Sequence, residues 1–233
     1  MSNYFNGRRS EATAMSRLTT ALLPLAVPVG VGVIIFVSAG RWNLPFVWAI
    51  LGLMVAFYLA LAVFADPGMM RERLAPGPGS QDQLTRFLGA GMLVAHWLLA
   101  GLDVGRFQWS PVPWQVQVAG VVGYAAALGV LFWAMHANPF YSSVVRVQTE
   151  RGHHTVATGP YRFMRHPGYA ATLLAMLSGG VALGSWLAML PVLGFVGLFI
   201  RRIRLEDRLL RQDLEGYAEY AQKVRYRLVA GLF

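Results

Sequence analysis

The sequence predicts an all-α integral membrane protein with four transmembrane helices, a C-terminal helical hairpin and a cytosolic amphipathic tail helix. Three observations predict it. The 233 residues are 56% hydrophobic and only 13% charged. Charge-free apolar runs lie between Arg17 and Arg41, Arg41 and Asp66, Arg106 and Arg146, and Arg165 and Arg201. Each exceeds the ~18 residues that mark a membrane-spanning helix. The basic residues, finally, gather in alternate loops. With the N-terminus in the cytoplasm, three arginines precede the first span, three lie in the second loop, four lie in the loop after the fourth span, and eight basic residues lie from Arg201 to Arg227. Eighteen of the twenty are then inside, leaving Arg41 and Arg106 outside, as the positive-inside rule requires. Trp42, Trp48, Trp109, Trp114 and Trp186 fall near the opposite face, where amphipathic rings anchor at the interface.

The elements follow in order. Met1–Arg17 is polar, and the apolar run behind it is too long for a cleaved leader, so no signal peptide is expected. The four spans are predicted over about 18–40, 45–65, 84–106 and 113–137. The third contains the shorter run Phe87–Leu102; Pro111 and Pro113 open the fourth and Pro139 stops it. Ala75–Gln83 (APGPGSQDQ) reads as a loop between spans two and three. Residues 1–137 thus form the N-terminal membrane part. Residues 138–233 form a second region made of a loop (138–167), a hairpin (168–200) and a tail helix (201–224). Gly168–Ile200 is too long for one span: as a single helix it would measure ~50 Å against a ~30 Å hydrocarbon core. A hairpin turning near Gly179–Ser185 fits it better. In the tail, Leu205, Leu209, Leu210, Leu214, Tyr217 and Ala221 recur at helical spacing, as in a helix resting on a membrane surface. Both termini are then cytoplasmic.

The polar loop 153–169, HHTVATGPYRFMRHPGY, lies between two apolar stretches and holds three His, two Tyr and two Arg. Ionisable groups beside a bilayer are costly, so such a cluster marks a site. Thr158-Gly159-Pro160-Tyr161 is a turn signal. Pro167 suits the first turn of a helix whose exposed N–H groups can bind an anion. On the tail, Arg202 and Glu206 share one helix face. They read either as a surface ion pair or as an anion anchor beside a group that holds a cation or hydroxyl.

Several chemistries are excluded or unsupported. The chain has no Cys, hence no disulfide, thiolate metal site or Cys nucleophile. His153 and His154 are adjacent and no HExxH spacing appears, so no metal is expected. His96 and His136, in or at the end of spans, read as interhelix hydrogen-bonding residues. Dinucleotide, P-loop and α/β-hydrolase signatures are absent. The sequence pI near 10.5 reads as arginines facing anionic lipid, with no nucleic-acid partner.

The segment Gln148…His153-x-x-Val156-x-x-Gly159-Pro160-Tyr161-Arg162-x-x-Arg165-His166-Pro167-x-Tyr169 resembles the signature of integral-membrane methyltransferases, namely the isoprenylcysteine carboxyl methyltransferase family and the related phospholipid N-methyltransferases. Arg202-x-x-x-Glu206-Asp207-x-x-Leu210 and Gly216-Tyr217-x-x-Tyr220 resemble that family's second block. The likeness is strongest over roughly residues 135–230. The layout, with Glu72-Arg73-Leu74 and Pro76–Gly79, resembles the bacterial branch. The resemblance implies S-adenosyl-L-methionine as cofactor (S-adenosyl-L-homocysteine as product), bound on the cytoplasmic side of an inner membrane. It implies cofactor contacts from Gln148, His153, His154, Thr155, Val156, Gly159, Tyr161, His166, Pro167, Gly168, Tyr169 and Glu206. Arg202, with Glu206 the expected catalytic pair, would face the acceptor. Gly168 stands where eukaryotic members often carry Ser. The implied partners are membrane lipids and a lipophilic or lipid-linked acceptor from the bilayer; nothing in the sequence fixes an oligomeric state. A carboxylate acceptor is the expectation, with phospholipid or amine N-methylation and a non-catalytic scaffold as the alternatives. A transporter is disfavoured, because the spans lack the midplane charges such proteins use.

Overall fold

Prolines start four of the described helices. The computed structural model describes residues 23–79 and 81–228. Pro45, Pro67 and Pro167 each occupy the first position of a helix, and Pro191 the second of another. Their missing N–H would be without a partner there in any case. The helices are α1 (Ala26–Ala39), α2 (Pro45–Phe64), α3 (Pro67–Leu74), α4 (Gln83–Gly101), α5 (Trp114–Ala137), α6 (Pro167–Leu183), α7 (Leu190–Asp213) and α8 (Tyr217–Lys223). With no strand among the described residues and apolar helices throughout, the chain is an all-α membrane protein.

Three helical stretches are long and apolar enough to span: Pro45–Phe64, Gln83–Phe107 and Trp114–Ala137. Between 22% and 28% of each window is buried, so most of the apolar surface faces outward. That arrangement suits a lipid solvent, in which the helix satisfies its own backbone. These are the predicted second, third and fourth spans. Of the first, the described part is Leu23–Ala39; residues 18–22 lie outside the described chain.

α4 runs into a π turn, Leu102–Phe107. Buried Asp103 takes hydrogen bonds from the Ser110 N–H at 2.9 Å, the Ser110 hydroxyl and the Ser185 hydroxyl. One carboxylate thereby ties the end of α4 to the turn between α6 and α7. His96 and His136 bridge to the Ala188 and Phe64 carbonyls at 2.7 and 3.0 Å, the interhelix role expected of them.

The C-terminal hairpin differs from expectation in its second arm. It turns at Gly184–Trp186 and a short 3-10 turn, Leu187–Met189. α7 then continues unbroken for 24 residues, ~36 Å at 1.5 Å per residue. No separate tail helix starts at Arg201. The change from apolar to charged composition is a change of solvent along one helix, because RRIRLEDRLLRQD consists mostly of good helix formers. The break falls instead at Leu214–Gly216, where Gly216 adopts φ +75°, so the expected helix 201–224 is two pieces. Val192, Phe195 and Phe199 bury one face of α7, and Ile203, Arg202 and Asp207 continue that face into the polar end.

Candidate active site

The polar end of the bundle is built around one carboxylate. Asp207, on the buried face of α7, accepts two hydrogen bonds from Arg165, Nη2 at 2.7 Å and Nε at 3.2 Å. Tyr217 Oη and Arg227 Nε donate to it at 2.7 Å each, and His166 Nε2 lies at 3.3 Å. Burial pushes this carboxyl's pKa up, but the bonds from His166 and Tyr217 and the surrounding positive charge outweigh it and hold the pKa far below the usual range. The backbone N–H groups of Arg165 and His166 meanwhile bond the Tyr226 and Arg227 carbonyls at 3.0 and 2.9 Å. The start of α6, the middle of α7, α8 and the C-terminal segment are thus locked together.

Over this base lies a cleft enclosing about 770 Å³ of space, part of it open to solvent. Its walls come from the 138–166 loop, the first turn of α6, the polar half of α7, Leu214 and α8. The structure brings His153, His154, Thr155, Val156, Tyr161, His166, Gly168, Tyr169 and Glu206 to this wall. These residues come from three separate stretches of chain.

Four of the expected residues are not on the wall. Gln148 is fully buried: its amide donates to the Phe140 carbonyl at 2.7 Å and accepts from Arg151. It clamps the loop from behind. Gly159 packs against Trp133 and Ala137 of α5. Pro167 is buried in the helix start. Arg202 is 5% exposed; its Nε donates to Tyr169 Oη at 2.7 Å and its Nη2 to the Ser143 carbonyl at 2.9 Å. Tyr169 Oη in turn donates to Glu206 Oε2 at 2.6 Å. Arg202 and Glu206 are therefore not an exposed ion pair, but two charges joined through a half-buried phenol.

The first turn of α6 offers less than its position suggests. Pro167 has no N–H, and those of Tyr169 and Ala170 bond the His166 carbonyl at 3.2 and 3.3 Å. The Gly168 N–H remains as the donor nearest the cleft. Gly168 itself is packed against Tyr141: a Cβ there would lie 2.2 Å from the phenol oxygen. Ser at this position therefore requires Tyr141 to move. His153 Nδ1 accepts from the Gln148 N–H at 3.2 Å and its ring stacks on Phe140 at 4.4 Å. Burial lowers its pKa from 6.5 to about 4, aided by His154, Arg151 and Arg146, so it is neutral at pH 7.

Sequence reasoning gave no role to Asn138, Tyr141, Arg165, Tyr217 and Tyr220, which also line the cleft, or to Asp207 beneath it. A signal existed for Asp207: an acid in a strongly basic stretch, next to Glu206. Also missed was the buried ion pair of Glu72 and Arg146 at 2.8 Å, which Glu150 joins. It fastens α3 to the loop, and the Arg146 hydrogen bonds hold the Glu72 pKa below its ordinary value. No three His, Asp or Glu among the described residues converge as a metal site.

Residues 120–212 match the model of the isoprenylcysteine carboxyl methyltransferase family. That stretch contains the loop, α6 and nearly all of α7, which carry most of the cleft lining. The chain is 31% identical to the cobalt-zinc-cadmium resistance protein CzcN of Cupriavidus metallidurans over 149 residues, 60% of this chain and 62% of that protein. It is 37% identical to a probable protein-S-isoprenylcysteine O-methyltransferase of Oryza sativa subsp. japonica over 90 residues, 38% of this chain and 47% of that one. It is 28% identical to the nickel-cobalt-cadmium resistance protein NccN of Alcaligenes xylosoxydans xylosoxydans over 153 residues, 64% of this chain and 67% of that protein. The chain thus spans less than two thirds of the first of these relatives and about half of the rice protein. The family match and the rice relatives bear out the resemblance read in the loop and tail blocks: over residues 120–212 the chain is similar to the isoprenylcysteine carboxyl methyltransferase family.

Proposed function

We propose that the protein is an S-adenosylmethionine-dependent membrane methyltransferase that methylates a carboxylate on a lipophilic acceptor, with its cleft on the cytoplasmic side of a bacterial inner membrane. The observation that carries this reading is convergence. His153–Val156, His166–Tyr169 and Glu206, three stretches that the resemblance ties to one cofactor, line a single cleft.

The donor set fits the cofactor. The Gly168 N–H and His166 suit a carboxylate, Glu206 suits an ammonium, and Phe140, Tyr161 and the imidazoles of His153 and His154 offer flat faces to a base. When bound, the cofactor supplies an electrophilic methyl group on a sulfonium. The protein's contribution is then to orient the two reactants and exclude water. The cleft supports a carboxylate acceptor because it presents no obvious strong base. His153 is a weak base held neutral, His166 Nε2 is turned to Asp207, and Glu206 already accepts the Tyr169 proton. A carboxylate needs no deprotonation at neutral pH, whereas an ammonium does.

The test is transfer of a labelled methyl group from S-adenosylmethionine into the organic extract of membranes containing the protein. Label released as methanol by mild alkali identifies an ester, as this reading expects. Alkali-stable label would identify N-methylation, and no incorporation into any lipid fraction would favour a scaffold.

A further inference from the structure

The neighbours Glu72 and Arg73 on α3 differ in what they hold. Glu72 is bonded to Arg146. Arg73 is half-buried and makes no ion pair among the described residues. Its guanidinium lies over the Tyr141 ring, 5.1 Å from the centroid, and hydrogen-bonds the Tyr141 hydroxyl. A guanidinium can only donate, so the phenol accepts and keeps its own hydrogen. That hydrogen finds no acceptor among the described residues. Burial raises the Tyr141 pKa above its ordinary value, with Arg73 opposing and Glu206 adding to the shift, so the phenol is a donor at neutral pH.

Tyr141 lines the cleft. Its hydroxyl fills the place that a side chain on Gly168 would take, 2.2 Å from where that Cβ would lie. A second arginine is tied to the same spot. Ser143 Oγ donates to the Arg73 carbonyl at 3.1 Å, and the Ser143 carbonyl accepts from Arg202 Nη2 at 2.9 Å. Both positive charges are felt at the Tyr141 hydroxyl, and Glu206, the acid in reach of it, is bonded to Tyr169. Two cations against one anion leave the spot positive. The other side of the Tyr141 ring packs with Leu61, Met69, Met70 and Met135, at the ends of the spans. The hydroxyl thus stands where the apolar bundle meets the cleft.

We infer that Tyr141 and Arg73 form the anchor for the acceptor's carboxylate: the Tyr141 hydroxyl donates to one carboxylate oxygen, and Arg73, behind the ring, supplies the charge that favours it. The inference rests on the methyltransferase reading and gives the acceptor's polar end a residue on the cleft wall, which Arg202 is not. A donor backed by a guanidinium makes a stronger bond to an anion than a neutral one does. An acceptor whose tail lies among the spans brings its polar end to this boundary. Held by one oxygen, its carboxylate keeps the other free towards the cleft, and no proton has to leave it. Tyr141 is then a substrate contact and Arg73 a positioning residue.

The experiment uses the purified full chain in detergent, S-adenosylmethionine carrying a labelled methyl group, and graded amounts of an organic extract of bacterial membranes. The rate is read as alkali-labile label, and S-adenosylhomocysteine binding is measured by calorimetry on the same samples. Tyr141→Phe keeps the ring. It should need about tenfold more extract for half-maximal rate, the loss of one hydrogen bond to a charged group. Its maximal rate and its affinity for S-adenosylhomocysteine should match wild type, as for a contact that only binds. Arg73→Gln should shift the half-maximal amount the same way, and Arg73→Lys should restore most of it. Arg71→Gln, which removes an exposed charge from the same helix, should leave it unchanged. No shift in Tyr141→Phe, no shift in Arg73→Gln, or the same shift in Arg71→Gln would each overturn the proposal. So would an equal loss of S-adenosylhomocysteine affinity in Tyr141→Phe, which would make the phenol a cofactor ligand. A wild type that yields no alkali-labile label contradicts the methyltransferase reading itself, and the anchor falls with it.

Discussion

The Tyr169 hydroxyl accepts from Arg202 and donates to Glu206, so Arg202, behind the cleft wall, is tied to the two residues that line it. Arg202→Ala is expected to weaken acceptor use while cofactor binding persists. If both fall equally, the arginine serves only to hold the phenol. Asp207 serves as a tie rather than a contact. Its pair with Arg165 is buried, with side chains 4% and 2% exposed, and leaving one member of such a pair alone costs about 3–5 kcal/mol. Asp207→Ala should therefore lower the thermal midpoint in detergent steeply; a midpoint within a degree of wild type would refute the hub. His153 gives a pH signature. Its folded pKa of about 4 lies below the ordinary 6.5, so the unfolded chain binds more protons between those values. The stability it contributes is complete above about 6.5 and is lost as pH falls towards 4. Comparing unfolding midpoints of wild type and His153→Gln across that range should show the wild type losing more on acidification; parallel curves would contradict the burial.

Helices α5 and α6 meet through small residues. A Cβ on Gly120 would lie 2.5 Å from the Ala182 backbone nitrogen, and backbone cannot yield as a side-chain tip does. Gly120→Ala should cost about 1–3 kcal/mol of stability by overpacking, seen as a lower unfolding midpoint. A neutral result would show that the helices separate freely. At this scale the sequence was most legible where one solvent decides the pattern. The second, third and fourth spans appeared as apolar runs because lipid demands them, and Pro45 and Pro113 set the starts of the second and fourth. It was least legible at Arg201, where a boundary in composition was read as a boundary between elements. Helix propensity carried α7 through to Asp213; the chain turns extended at Leu214, and Gly216 with its positive φ then opens α8.

For the molecule as a whole, the loop 153–169 and the pair Arg202/Glu206 were legible because they match a family pattern. The ties between them were not: Arg165 to Asp207 and Tyr220 Oη to the Tyr161 carbonyl at 2.6 Å span 42 and 59 positions, and no local periodicity reports such contacts. Nor could spacing reveal that Gln148 lies behind the cleft, since only the packing of Phe140 and Arg151 decides it. What the fold supplies is a fixed polar base, closed by α8 and the C-terminal segment, under a cleft at the end of an apolar bundle.

The most direct measurement is calorimetric titration of the purified protein in detergent with S-adenosylmethionine and S-adenosylhomocysteine. Binding is predicted for both, and it should fall about tenfold or more in Glu206→Ala, the loss expected for one charge-assisted hydrogen bond, and comparably in His166→Ala. The contradicting result is well-folded wild-type protein that binds neither compound, or binding that both variants retain in full.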